Sequence, residues 1–180
     1  MPAIVVPYRG DAKRRLSPEL RAGVAVAMLG DVVEAALEVG HVIVVTDDPS
    51  VVPAGAEAVP DPGEGLGAAV EAGLRGVSGP ALVVNADLPC ATPDALRRLA
   101  AAGLALVEAD DGTTNALSLP DPAAFVPFYG PCSADRFRAH APYARVSIPE
   151  LEADVDSDED LERLAGRLGP RTRALLAVHA

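Results

Sequence analysis

The chain has little positive charge and almost no lysine. Its 180 residues include 15 Lys and Arg against 26 Asp and Glu, which gives a formal net charge of −11 at pH 7, and Lys13 is the single lysine. Non-specific binding to nucleic acids depends on a broad basic surface that neutralises phosphates. A chain this acidic cannot supply such a surface, so we expect no nucleic-acid partner.

Cysteines and long hydrophobic runs are also scarce. Cys90 and Cys132 are the two cysteines, and their wide separation gives neither a C-x-x-C pair nor zinc-ligand spacing. We therefore predict two reduced thiols in the core or in loops. No apolar run reaches the length of about 18 residues that suggests a membrane helix, and the first residues lack a signal-peptide pattern. These features predict a cytoplasmic protein with no membrane partner.

Apolar residues are abundant and arranged in short runs. Hydrophobic residues form 49% of the chain, which is ample for a core, and the length fits one domain over residues 1–180. Runs at 3–6, 41–46, 80–86, 104–107 and 115–119 are predicted strands. Helical patterns lie between most of them, with N-cap signals at Ser17-Pro18, Thr92-Pro93 and Ser157.

This alternation predicts an α/β fold with a mostly parallel, mixed sheet and helices on both faces. In such sheets, ligands bind outside the carboxyl ends of the strands. Two features lie at this edge. One is the basic loop at 9–15, and the other is Asp87, which follows the apolar run 80–86.

Several common catalytic motifs are missing. The chain has no P-loop and no G-x-S-x-G nucleophile motif. The G-x-G-x-G stretch at 63–67 lacks the spacing of a dinucleotide fingerprint and has no strand directly before it. It is either a flexible turn into a helix or a place where a base or phosphate approaches backbone N–H groups at a helix N-terminus.

The acidic candidates have two interpretations each. Asp87 either caps a turn or binds a cation, because an unpaired carboxylate after a buried strand is costly. Asp154 and Asp156 alternate along an extended segment, so we expect them to point to opposite faces unless the chain bends. They can also lie in solvent, where acidic residues before a helix favour its dipole.

Hydroxyl groups follow glycines in two loops, Gly112-Thr113-Thr114-Asn115 and Gly130-Pro131-Cys132-Ser133. A serine at a helix start is commonly only an N-cap, whereas hydroxyls with free N–H groups can form an anion pocket. Together these features predict a metal-dependent phosphate-transfer site. The basic loop would hold a triphosphate, the acidic strand ends would hold divalent ions, and the hydroxyl loops would hold a second anionic substrate.

Seven motifs occur in an order that is typical of one family. They are A-K-x-R-L at 12–16, V-T-D-D at 45–48, D-P-G-x-G-L at 61–66, A-D-L-P at 86–89, G-T-T-N-A-L at 112–117, Y-G-P-x-S at 129–133 and D-V-D-S-x-E-D-L at 154–161. This ordered set covers nearly the whole chain. It resembles the phosphoenolpyruvate/2-phospho-L-lactate guanylyltransferases, which make a precursor of the hydride carrier coenzyme F-420.

The resemblance implies a Rossmann-like nucleotidyltransferase fold of the sugar-nucleotide type. It also implies transfer of GMP from GTP to a three-carbon phospho-acid, with Mg²⁺ as the cofactor and pyrophosphate as the second product. The roles carried over are as follows: Lys13 and Asp87 in catalysis; Asp87, Asp154 and Asp156 as metal ligands; Arg9, Lys13, Gly63, Glu64 and Gly65 at the nucleotide; and Thr114, Gly130 and Ser133 at the phospho-acid.

Two alternatives stay open at the level of sequence. Another nucleotidyltransferase, such as a molybdenum-cofactor guanylyltransferase, would share the basic loop and Asp87. A non-catalytic nucleotide-binding domain would use the acidic residues only as caps. Besides GTP and the phospho-acid, the next enzyme of the pathway is a candidate partner.

Overall fold

The computed structural model describes residues 1–10 and 15–179, in which seven strands and seven helices alternate along most of the chain. The strands are β1 Ala3–Pro7, β2 His41–Thr46, β3 Glu57–Pro60, β4 Ala81–Val84, β5 Ala105–Glu108, β6 Thr114–Leu119 and β7 Ala144–Arg145. The helices are α1 Pro18–Leu37, α2 Leu66–Leu74, α3 Pro93–Ala101, α4 Ser133–His140, α5 Pro149–Glu152, α6 Asp158–Leu164 and α7 Pro170–His179. Single 3-10 turns lie at Pro49–Val51 and Pro122–Ala124.

The strands form one mixed sheet in the order β3-β2-β1-β4-β6-β5-β7. Pairs β1/β2, β1/β4, β2/β3 and β5/β7 are parallel, whereas β6 runs antiparallel to both β4 and β5. The predicted α/β class with a mostly parallel, mixed sheet is confirmed. Because β6 is antiparallel, its first residues lie at the same edge as the carboxyl ends of β1 and β4.

Both faces of the central strands are covered. Ile4 and Val6 of β1 pack in the cluster that includes α1 and α3, whereas Val5 packs in the cluster that includes α2 and α4. Strand β2 divides its residues between the same two clusters. This two-sided burial explains why the central strands read as continuous apolar runs without polar alternation.

The C-terminal segment packs back onto α1. The buried carboxylate of Asp31 in α1 accepts hydrogen bonds from Arg171 N (2.8 Å), Thr172 N (3.0 Å) and Thr172 Oγ1 (2.6 Å). A small apolar cluster joins α1 to the segment around α6 through Met28, Val155 and Leu161. These contacts hold residues 153–157 over the carboxyl edge of the sheet.

Three helix starts follow the predicted N-cap signals. Thr92 Oγ1 accepts a hydrogen bond from Ala95 N at 3.2 Å, and Ser157 caps α6. Ser17 occupies the N-cap position of α1, with Pro18 as the first helical residue, but its side chain makes no capping hydrogen bond. Instead, Ser17 N donates to Asp158 Oδ1 at 3.2 Å, which ties the start of α1 to the start of α6.

The described helices include none with both the length and the apolar character needed to cross a bilayer. Cys90 is a buried free thiol and Cys132 is an exposed one, which agrees with the prediction of two reduced cysteines.

Candidate active site

The order in which strands are added to the sheet reverses between β1 and β4. From β1 the chain adds β2 and β3 on one side, and it then crosses to place β4 on the other side. The carboxyl ends of two such strands diverge and leave a crevice, which is where doubly wound folds bind ligands. A cavity of about 220 Å³ lies at this point. Its lining comes from the ends of β1 and β4 and from α1 and α2, and consists of Pro7, Tyr8, Arg9, Ala25, Met28, Leu66, Ala69, Asn85, Ala86 and Asp87.

Three carboxylates meet beside this cavity. Asp87, in the turn after β4, and Asp154 and Asp156, before α6, each offer one oxygen, and these oxygens lie within 4.8 Å of one another. A backbone hydrogen bond from Val155 N to Asp87 O (3.1 Å) holds the two segments together. The expectation that Asp154 and Asp156 point to opposite faces is wrong. Residues 153–156 form an irregular segment, so the alternation of a straight strand does not apply.

The electrostatics of this carboxylate cluster suit a cation. Burial, followed by the negative charge of Asp87 and then that of Asp156, raises the pKa of Asp154 to about 6. Asn115 partly offsets this, since its Nδ2 lies 3.4 Å from Asp154 Oδ1 and also donates to Glu152 O at 3.0 Å. Hard divalent cations prefer oxygen ligands of this kind. The three carboxylates therefore form a donor set that fits a divalent ion.

The segment carrying Asp156 is fixed by the start of α6. Ser157 Oγ accepts from Asp160 N at 3.3 Å, and Asp160 Oδ2 accepts from Ser157 N at 3.0 Å. The same carboxylate oxygen accepts from Asp156 N at 3.1 Å. This is the capping box predicted from S-x-x-D, and it orients the backbone that presents Asp156.

The two hydroxyl loops meet at the start of β6. Thr114 opens β6 and Ser133 opens α4, and Ser133 Oγ donates to Thr114 Oγ1 at 3.0 Å. Both residues are buried. Asn85 Nδ2 donates to Thr114 O at 3.3 Å, which connects this pair to the end of β4. Gly130, three residues before Ser133, has a φ of 110°, a backbone conformation that favours glycine.

The glycine-rich loop is anchored to the loop after β1. Asp61, whose side chain is 3% exposed, accepts from Gly63 N at 2.8 Å and pairs with Arg9 Nε at 3.2 Å. Gly63 and Gly65 have positive φ values, and Gly65 is the N-cap of α2. This pair was not predicted from sequence, where Arg9 was assigned to the GTP phosphates. The only sequence signal for Asp61 was its place at the head of the D-P-G-x-G-L motif.

A cleft of about 590 Å³ separates the glycine-rich loop from the hydroxyl loops. Glu64, Gly65 and Leu66 line one side, and Tyr129 and Gly130 line the other. Leu66 also lines the cavity at the switch point, so the two spaces adjoin. Of the predicted site residues, Glu64 and Gly65 therefore lie across this cleft from Gly130. Lys13 lies outside the described residues, and its role stays a prediction.

Comparison with known proteins assigns the chain to a family. The model of the MobA-like NTP transferase domain matches residues 20–169. A phosphoenolpyruvate guanylyltransferase from Geodermatophilus obscurus is 38% identical over 174 residues, covering 88% of this chain and 81% of the relative. A 2-phospho-L-lactate guanylyltransferase from Natrialba magadii is 35% identical over 191 residues, covering 88% and 80%. The chain belongs to the phosphoenolpyruvate/2-phospho-L-lactate guanylyltransferase family.

A solved structure agrees in fold. A nucleotidyl transferase from Methanothermobacter superimposes with a TM-score of 0.71 and 16% identity over 99% of both chains. Membership of this family identifies the protein as an enzyme of the nucleotidyltransferase class, which sets aside the non-catalytic alternative. The named relatives favour the phospho-acid guanylyltransferases over the molybdenum-cofactor alternative.

Proposed function

We propose that this protein transfers GMP from GTP to the phosphate of phosphoenolpyruvate or 2-phospho-L-lactate and releases pyrophosphate. The observation that carries the proposal is the position of the carboxylate cluster at the switch-point cavity, which Asp87 lines and which adjoins the cleft at Gly130 through Leu66. The curated relatives with these two names support the choice of substrates. The product would be a precursor of coenzyme F-420.

Asp87, Asp154 and Asp156 would hold Mg²⁺. The fit rests on three oxygen donors within 4.8 Å and on the raised pKa of Asp154, which reflects burial first and then repulsion from the neighbouring carboxylates. When bound, the ion supplies positive charge against two polyanionic substrates. Side chains and backbone groups of the chain itself would bind and align the two substrates.

The nucleotide would lie along the switch-point cavity. Gly63, Glu64 and Gly65 lead into the N-terminus of α2, where free N–H groups and the helix dipole favour an anion. Arg9 lies beside this loop through its pair with Asp61, and it adds positive charge. Lys13, further along the basic loop, would bind the GTP phosphates.

Thr114, Gly130 and Ser133 would bind the phospho-acid. Because Ser133 Oγ donates to Thr114 Oγ1, the Thr114 hydroxyl retains its own proton for an anionic oxygen of the acid. Gly130 lines the cleft and has a positive φ that favours glycine at this position. The acid would then sit across the cleft from the glycine-rich loop.

The reaction needs orientation more than proton transfer. An oxygen of the acceptor phosphate attacks the α-phosphorus of GTP in line, an O–P bond forms, and the bond from the α-phosphorus to the bridging oxygen of the β-phosphate breaks. The acceptor phosphate is already ionised near pH 7, so no general base is required. The site must chiefly offset repulsion between two anions and align them.

We further propose that residues 1–180 act as one nucleotidyltransferase domain in the cytoplasm. The product contains a reactive P–O–P phosphoanhydride, so the next enzyme of the pathway is a natural partner that would consume it.

The test is release of pyrophosphate from each of the four ribonucleoside triphosphates, with phosphoenolpyruvate, 2-phospho-L-lactate or 3-phosphoglycerate as acceptor. Reactions contain Mg²⁺ or excess EDTA, with and without the next enzyme of the pathway. We expect release that requires GTP, one acceptor and Mg²⁺. Asp87→Asn should reduce it about 100-fold or more with an unchanged circular dichroism spectrum. If pyrophosphate release depends on an acceptor under none of these conditions, the proposed reaction is refuted.

A further inference from the structure

A second cavity, of about 450 Å³, lies next to the switch-point cavity on the side of β2. Its lining comes from the loop after β1, the loop after β2 and α1, and consists of Tyr8, Arg9, Gly10, Ala22, Val26, Asp47, Asp48 and Val51. Tyr8 and Arg9 line both cavities. The two spaces therefore share one wall at the carboxyl edge of the sheet.

The distance between the second cavity and the carboxylate cluster matches the length of a nucleotide. Asp47 follows β2 and Asp87 follows β4, and β1 lies between these two strands. Two strand spacings amount to about 10 Å. That is the scale of a nucleotide from its α-phosphorus to the far edge of its base. A GTP with its α-phosphate at the cluster can cross β1 and bring its base to the end of β2.

Recognition of guanine requires a particular set of acceptors. The Watson–Crick edge of guanine presents two adjacent donors, N1–H and the N2 amino group, and a carboxylate offers two acceptor oxygens that match them. Three described carboxylates line the two cavities and offer paired acceptors: Asp47, Asp48 and Asp87. Asp87 belongs to the carboxylate cluster, and Asn85, whose buried carbonyl oxygen has no hydrogen-bond partner among the described residues, offers one acceptor and cannot match both donors.

The two remaining carboxylates differ in their surroundings. Asp48 Oδ1 accepts from Ser50 N at 3.0 Å and from Ser50 Oγ at 2.5 Å, so it is engaged in capping the turn at Pro49–Val51. Asp47 is exposed, and its carboxylate takes part in no hydrogen bond or ion pair within the described part of the chain. Both carboxylates line the second cavity together with Tyr8, and burial, followed by the charges of Asp48 and Asp47, raises the pKa of Tyr8.

We propose that Asp47 reads the guanine base, with its carboxylate oxygens accepting N1–H and N2–H. This inference rests on the proposed GTP site and adds the residue that selects GTP over other nucleotides. It also gives a function to the V-T-D-D motif, for which the proposed reaction supplies none. Asp48 has a structural role in the same motif, which makes it a matched control.

The test is the affinity of the full chain for GTP, ITP and XTP in Mg²⁺, measured by isothermal titration calorimetry. ITP lacks the N2 amino group, so wild-type protein should bind GTP about 10- to 100-fold more tightly than ITP. Asp47→Asn should abolish this ratio. It should also favour XTP over GTP, since a carboxamide offers one acceptor to N1–H and one donor to the xanthine O2.

The control variant is Asp48→Asn, in which the amide oxygen can still accept from Ser50 N, so the wild-type order of affinities should remain. Because Asp47 is exposed, Asp47→Asn and Asp47→Ala should keep the wild-type melting temperature. A GTP-to-ITP ratio that survives in both Asp47 variants, or that falls equally in Asp48→Asn, would overturn the proposal. Failure of wild-type protein to bind GTP would overturn it as well.

The outcomes separate this inference from the proposed reaction. Guanine selection that depends on Asp47, without pyrophosphate release for any acceptor, would support the base reader and refute the transfer reaction. Pyrophosphate release from GTP, together with unchanged base selection in Asp47→Asn, would support the transfer reaction and refute Asp47 as the base reader.

Discussion

Ser133 Oγ donates a hydrogen bond to Thr114 Oγ1 over 3.0 Å, and both side chains are buried. The bond joins the first residue of α4 to the first residue of β6, which are 19 residues apart in the chain. It fixes the direction of the Ser133 O–H, while the Thr114 hydroxyl keeps its own proton for a second hydrogen bond. This relationship indicates that Ser133 and Thr114 act as one unit in the proposed phospho-acid site.

Replacing Ser133 by Ala should raise the KM for the phospho-acid about 3- to 10-fold and change the KM for GTP less than twofold. The Thr114 hydroxyl would lose the donor that orients it, at a cost of about 1 kcal/mol. Thr114→Val, which keeps the shape of the side chain, should have a similar effect. Steady-state kinetics with each substrate varied in turn give both constants. An acceptor KM that is the same in all three proteins would move the acid site elsewhere.

Addition of Mg²⁺ or Mn²⁺ should stabilise the protein through the carboxylate cluster. An ion present at about 100 times its Kd adds about 2.7 kcal/mol of stability, which for a chain of this size is about 5–10 °C in Tm. Asp154→Asn should lose most of this shift in a thermal melt. Asp94→Asn, at an exposed position whose side chain is 89% accessible, is the control and should keep it. An equal shift in Asp154→Asn and wild type would rule out Asp154 as a ligand.

Removal of the Asp61 carboxylate should weaken GTP binding through the glycine-rich loop. In Asp61→Ala, Gly63 N loses its acceptor and Arg9 loses its partner, so we expect a GTP KM about tenfold higher. Asp61→Asn retains an acceptor for Gly63 N, so its GTP KM should lie between those of the wild type and Asp61→Ala. The KM for the acid is the internal reference, and an increase in it equal to that for GTP would contradict a role confined to the nucleotide.

Truncation of Asp31 should destabilise the fold without touching the site. Asp31→Ala removes a buried carboxylate that accepts three hydrogen bonds from Arg171 and Thr172, and we expect a loss of about 3 kcal/mol in the free energy of unfolding. Glu34→Ala removes an exposed ion pair with Arg171 and should cost about 0.5 kcal/mol or less. Urea unfolding monitored by circular dichroism distinguishes the two, and equal losses would show that the buried network contributes little.

The sequence predicted the elements of the fold that bury a continuous apolar run. The pattern placed strands β1, β2, β4, β5 and β6 and the starts of α1, α3 and α6 correctly. Burial on both faces leaves a strong local signal, and so do the N-caps, which a proline follows in α1 and α3 and a capping box marks in α6. Strand β3 was missed because most of its residues are exposed at the sheet edge, and β7 because it has two residues. Helix α7 was missed because its docking depends on Asp31, which is distant in sequence.

The candidate site divides in a similar way. Sequence reasoning and resemblance nominated Asp87, Thr114, Gly130 and Ser133, and the structure brings them to one edge of the sheet. The convergence of Asp154 and Asp156 could not be read from spacing, because it depends on an irregular segment held by Val155 N and Asp87 O. The Arg9–Asp61 pair was equally hidden, since the two residues follow β1 and β3 and meet only when these strands lie in one sheet.

The sequence by itself determined the class of the fold, its main strands and the family. Apolar periodicity, caps and ordered motifs act over a few residues and do not depend on how distant segments meet. The tertiary structure alone decided which carboxylates form a cluster, which hydroxyls pair and which loop Arg9 anchors. These relationships arise because parallel strands align their carboxyl ends, and because the antiparallel β6 brings its first residues to that same edge, regardless of separation along the chain.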